Sequence, residues 1–197
     1  MTFIATVPES EASGDISQMY ETDREVFGHL PNFTRTFSQR PAVYAAWRRL
    51  NAAVRSEMDM RRYELVTVAA ARRLRSSYCT LAHGRVLMDN DLVAPDELAA
   101  LVADHHAAGL DDVDVAVMDL ADKVAADATT VTEADIDRLR ALGLSDAEIF
   151  DVVATAAMRC FYSKVLDALG TLPDAHFAEL DGPLREALTV GRPIAEA

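Results

Sequence analysis

Between Glu64 and His83 the stretch ELVTVAAARRLRSSYCTLAH sets one carboxylate, one thiol and one imidazole into a segment otherwise built for a helical core. Cys79 and His83 are four residues apart and therefore share one face of any helix that carries both. An imidazole can take a thiol proton and a carboxylate can hold the imidazole's tautomer, so the three residues are the parts of a nucleophilic site. Each also has a plainer reading. Cys79 can serve as a small buried apolar residue, His83 as a hydrogen-bonded polar one, and Glu64 as the partner of Arg61 or Arg72. Their joint spacing is what favours chemistry.

Such a site imposes a condition on the chain. Glu64 and Cys79 are fifteen residues apart, which in one continuous helix means roughly 22 Å, at about 1.5 Å per residue. A break near Arg75 and Ser76 would fold two helices back on each other and bring Glu64 beside the thiol. Ser76 is a favourable N-cap, which makes Cys79 the third residue of the new helix and turns free N–H groups toward the sulfur. Ser76 and Tyr78 then become close neighbours of the thiol, able to support it or to face a substrate, although Ser76 can equally be a cap and nothing more.

The surrounding pattern is helical. Turn formers are sparse (eight Gly, seven Pro), and apolar positions recur at three and four rather than alternating, so the expected fold is all-α. Helices are expected over 15–26, 41–55, 60–74, 78–90, 95–103, 111–127, 132–142, 145–169 and 183–190, with Pro41, Pro95 and Pro183 in first turns. Residues 28–41 read as a packed loop, and Ser145 with Glu148 as a capping box. The chain reads as one domain over residues 1–197, with 173–197 as a C-terminal helix or arm. Laying the stretch from Glu64 over that from Glu148 pairs Arg75 with Arg159 and Tyr78 with Tyr162. The same overlay turns SSYC into CFYS and sets Asp167 opposite His83. An offset of 84 residues predicts two related helical halves about a pseudo-twofold axis.

Composition narrows the partners. Half the residues are apolar and the formal charge is −13, which disfavours nucleic acid and anionic membrane surfaces. Residues 35–85 nevertheless hold eleven of the nineteen Arg and Lys against three acids. The thiol therefore sits in the one basic stretch, where the arginines form either a solvated, ion-paired face or one side of a subunit contact. Two cysteines make no disulfide framework, the start MTFIATVPESEASGD has no leader-like pattern, and no apolar run approaches the roughly 20 residues of a membrane span. A reducing cytoplasm is the expected location.

Glu64, eleven residues, Ser76, two residues, Cys79, three residues, His83: this pattern resembles the alkylhydroperoxidase D-like and carboxymuconolactone decarboxylase superfamily, whose redox members carry Glu, CxxC and His at these intervals. LPNFTRTFSQRP before the site and GLSDAEIFDVVATAAMRCFYSKVLDALG after it resemble its peroxidase-related branch, so the likeness spans about residues 25–172. It implies an AhpD-like helical bundle, assembled as a homo-oligomer, often a trimer or hexamer. It also implies Cys79 as the second motif cysteine, His83 as its proton partner and Glu64 as the relay carboxylate. Ser76 replaces the first motif cysteine, so the family's local disulfide cannot form.

A lone thiolate can still cleave a hydroperoxide and become a sulfenic acid, which a second thiol must reduce. That thiol is Cys160, if the helices meet within disulfide range, or an external small thiol or protein; the flanks Met158, Phe161 and Tyr162 favour a structural Cys160. Two alternatives stand beside this reading. One is a non-redox enzyme in which His83 and Glu64 move protons on a small organic acid; the other is a non-catalytic oligomeric scaffold. His105 and His106 are expected to diverge, His29 and His176 to be isolated, and no metal or cofactor is implied.

Overall fold

The computed structural model describes residues 2–196, and among these there is no strand. Ten α-helices follow in order: α1 Asp15–Phe27, α2 Asn32–Phe37, α3 Pro41–Arg55, α4 Met60–Arg73, α5 Ser77–Asp89, α6 Pro95–Ala103, α7 Asp112–Asp127, α8 Glu133–Ala141, α9 Asp146–Ala168 and α10 Gly182–Leu188. Nine of them match the expected helices to within a residue or two. The tenth, α2, lies where a loop was expected. Six residues are too few to show a period, and Thr36 instead ties α2 together by donating to the Asn32 carbonyl at 3.0 Å.

Helix α4 is the centre of the molecule. From Tyr63 to Ala71 every residue is buried, because α4 is covered by α5, α7 and α9 at once. A helix apolar on all sides needs such a setting. The capping box of Ser145 and Glu148 starts α9 as expected, and α9 then runs 23 residues without interruption. The C-terminal segment is no free arm. Leu184 and Leu188 of α10 are buried against α5 and α6, and the contact is so close that a Cβ on Gly84 would lie 3.1 Å from Leu188. No helix of the described residues is long and apolar enough to cross a membrane.

The break between α4 and α5 falls where the site requires it. Arg75 adopts left-handed φ of 57°, while Ser76 N donates to Ala71 O and Arg75 N to Arg72 O, both at 2.9 Å. This is the Schellman arrangement that closes many helices, here with arginine at the position glycine prefers. The C-terminal tail holds the corner. Gly191 N donates to Ser77 Oγ at 2.7 Å and Arg75 Nε to Val190 O at 3.3 Å. A Cβ on Gly191 would stand 1.9 Å from the Arg75 carbonyl oxygen, so only glycine fits there.

Candidate functional site

The corner brings Glu64 to His83. Glu64 Oε2 accepts from His83 Nδ1 at 2.5 Å, with the Glu64 side chain only 2% exposed and that of His83 19% exposed. A carboxylate on Nδ1 places the ring proton there and leaves Nε2 as the free acceptor. Burial, reinforced by the nearby charge of Arg159, pushes the His83 pKa below its ordinary value against the pull of Glu64. The neutral, base-competent imidazole is therefore the favoured form at neutral pH. Tyr63 meets the His83 ring edge to face and itself donates to Asn51.

Cys79 is buried on α5, one turn before His83. Its sulfur makes no hydrogen bond to His83 among the described residues, so the imidazole does not take the thiol proton directly in this arrangement. Two residues of α9 engage the sulfur instead: Ser163 Oγ at 3.2 Å and Arg159 Nη1 at 3.6 Å. Arg159 is itself buried, with its guanidinium 5.6 Å from the Tyr162 ring centre. Burial works against the Arg159 charge, but the anionic form of Cys79 and the Tyr63 side chain outweigh it and raise the pKa of Arg159 above its usual value.

Two buried polar atoms of the segments around Cys79 lack partners. Arg159 Nε makes no hydrogen bond, and neither does Ser76 Oγ, three residues before Cys79. Asp167 lies close enough for the Ser76 hydroxyl to oppose the rise that burial imposes on its carboxyl, but the geometry falls outside a normal hydrogen bond. Buried donors are rarely left unpaired, and Arg159, which carries one, also donates to the thiol through Nη1.

Other candidates sit elsewhere. Ser76 is the N-cap residue of α5, as expected, though its side chain does not cap. Tyr78, buried beside Cys79 on α5, donates its hydroxyl to Asp174 and accepts from Phe33 N, anchoring the start of α2 and the segment after α9. Cys160 is half-buried on α9 with a free thiol; burial raises its pKa and it makes no hydrogen bond to Cys79. His105 and His106 do not diverge, because residues 104–111 form turns rather than helix. Both Nε2 atoms reach Asp119 Oδ1 at 2.9 Å. His29 and His176 are not isolated either, their ring centres being 4.8 Å apart. Arg159 and Ser163 were absent from the expected site. The signal for them was the 84-residue overlay, in which Ser163 is the counterpart of Cys79.

Several solved structures share this architecture. A peroxidase-related protein with an alkylhydroperoxidase AhpD core from Ralstonia eutropha JMP134 superposes with TM-score 0.81 at 23% identity, covering 89% of this chain and 94% of the other. A peroxidase-related protein from Silicibacter sp. TM1040 gives 0.75 at 21%, covering 89% and 90%. The debrominase Bmp8, as a Cys-to-Ala variant in complex with 2,3,4-tribromopyrrole, gives 0.72 at 13%, covering 95% and 96%. Residues 41–123 match the carboxymuconolactone decarboxylase family model. The chain has the AhpD-like fold, and its residues 41–123 are similar to the carboxymuconolactone decarboxylase family. No curated protein matches it. Glu64, Ser76, Cys79 and His83 lie inside the carboxymuconolactone decarboxylase match, whereas Arg159 and Ser163 lie beyond its end.

Proposed function

We propose that this AhpD-like protein is a single-cysteine oxidoreductase that reduces hydroperoxides. The observation that carries the reading is the pair of α9 donors on Cys79 Sγ, set one turn from a buried carboxylate–imidazole pair. Arg159 and Ser163 supply what a thiolate needs in a buried place: a fixed cation and a hydroxyl donor. The unpaired Arg159 Nε, on the guanidinium that donates to the sulfur, would receive a peroxide oxygen.

The step balances without a metal or cofactor. Cys79 sulfur attacks the terminal peroxide oxygen, the S–O bond forms, and the O–O bond breaks with its electron pair leaving on the alkoxide. His83 Nε2 collects the thiol proton through the bound hydroperoxide and returns it to the alkoxide, giving Cys79 sulfenic acid and an alcohol. An external thiol then reduces the sulfenic acid, since Cys160 is a free, half-buried thiol with no hydrogen bond to Cys79. We further propose a homo-oligomer. Val43, Leu50, Phe150 and Phe161 on α3 and α9 are large apolar residues left exposed, a pattern typical of a subunit contact.

A non-redox reading also has an observation in its favour, since His83 Nε2 is a free base held in one tautomer by Glu64. Thiol-dependent turnover of an organic hydroperoxide by Cys79→Ser and His83→Ala separates the two. The peroxidase reading predicts no turnover with Cys79→Ser and a 10²–10⁴-fold loss with His83→Ala. Unchanged turnover with Cys79→Ser would refute it.

A further inference from the structure

Apart from the thiol site, two clusters of two histidines and one aspartate stand among the described residues, and they differ in how their polar atoms are satisfied. In the first, Arg72 donates to His105 Nδ1 at 3.4 Å, so His105 Nε2 carries the proton that reaches Asp119, and Arg138 donates to the other carboxylate oxygen at 2.7 Å. That cluster is closed by hydrogen bonds and already holds two guanidinium charges. A cation would be repelled.

The second cluster is open. His29 Nδ1 donates to the Phe27 carbonyl at 3.1 Å, which leaves Nε2 as a bare lone pair. That Nε2 is buried and has no hydrogen-bond partner, yet it faces Asp174 Oδ2 at 3.7 Å. Two acceptors therefore confront each other. His176 completes the group, the three ligand atoms lying within 4.8 Å of one another.

We infer that His29 Nε2, Asp174 and His176 form a binding site for a divalent transition metal of the zinc class, with water at the remaining position. Around tetrahedral zinc, ligand atoms at about 2.0–2.2 Å from the metal stand roughly 3.4 Å apart, so the widest separation in the cluster needs to contract by up to about 1.4 Å. The supports outside the ligand set are present. The His29 ring is oriented by a backbone carbonyl, as metal-bound histidines commonly are. The Asp174 carboxylate is oriented by Asn32 N at 2.8 Å and by the Tyr78 hydroxyl. The His29 side chain is 40% exposed, so the ring lies at the protein surface although its Nε2 is buried. A bound ion would clasp the segment between α1 and α2 to the segment after α9. Through Tyr78 it would also brace α5, the helix of Cys79.

The test is titration of chelator-stripped protein with Co²⁺, read by its visible d–d absorption, and with Zn²⁺ by calorimetry. One tight equivalent is expected, weakened more than about tenfold by His29→Gln and separately by His176→Gln, and unchanged by His106→Gln. Circular dichroism of each variant shows whether it is folded. Amide exchange around residues 28–31 and 174–177 should slow on metal addition in the wild type alone. Absence of a d–d band, wild-type affinity in folded His29→Gln, or loss confined to His106→Gln would each overturn the assignment.

Discussion

Glu64 and Glu148 stand 84 residues apart in stretches that overlay without a gap, yet the fold gives them opposite tasks. Glu64 is buried and holds His83. Glu148 is 42% exposed, pairs with Arg62 and caps α9; the Ser145 backbone N–H, then its hydroxyl and Arg62, hold its pKa down to about 2. The cause is the corner. After Glu64 the chain turns at Arg75, whereas after Glu148 the helix continues through the equivalent residue, Arg159. The broken stretch brings a carboxylate to an imidazole, and the unbroken stretch delivers an arginine and a serine to the thiol. Across the overlay, Cys79 touches its own counterpart, Ser163, at 3.2 Å.

The sharpest way to break that contrast is to neutralise both glutamates. Glu64→Gln should lower peroxide turnover at least about 10²-fold by freeing the His83 tautomer. Glu148→Gln should leave turnover intact and cost about 1 kcal/mol of α9 capping, measured by urea unfolding. Next in size, Arg159→Met should reduce the rate of Cys79 oxidation by about 10²-fold, as removal of a buried electrostatic donor does. Lys at that position should recover part of the loss, which a packing role alone would not explain.

Stability measurements sharpen the corner itself. Gly191→Ala forces a Cβ against the Arg75 carbonyl and should cost about 1–3 kcal/mol, with turnover falling as Glu64 and His83 lose register. His83 gives a pH signature. Its pKa is lowered in the folded state, chiefly by burial and then by Arg159, so the unfolded chain binds its proton first as pH falls. Its contribution to stability is therefore full above the unfolded value near 6.5 and is lost as pH drops through the interval down to the folded value. The stability–pH curve of His83→Gln should be flatter over that interval. The smallest effect is expected at Arg75→Gly, which relieves a left-handed φ and should stabilise by up to about 1 kcal/mol, less the lost bond to Val190.

The sequence made the corner legible because it contains its own arithmetic: fifteen residues cannot separate cooperating groups unless the helix breaks, and Ser76 marks where. Helix α9 was legible through its capping box and long period. What lay hidden depended on contacts between distant segments. Ser163 and Arg159 reach Cys79 only through the packing of α9 beside α5, and no local pattern in MRCFYSK announces it. The overlay suggested two similar halves, but a left-handed residue turns one of them and not the other, and an overlay of side-chain types does not register φ. The anchoring role of Tyr78 was hidden for a similar reason. Its partner Asp174 lies 96 residues away, beyond the end of α9.

The central claim is that Cys79, held by Arg159 and Ser163, is the atom that peroxide oxidises. Trapping with a sulfenic-acid reagent after one equivalent of organic hydroperoxide, with adducts assigned by mass, tests it most directly. The account predicts a Cys79 adduct in wild-type protein, strongly reduced in Arg159→Met and absent from Cys160. An adduct on Cys160 alone, or none on either thiol, would contradict it.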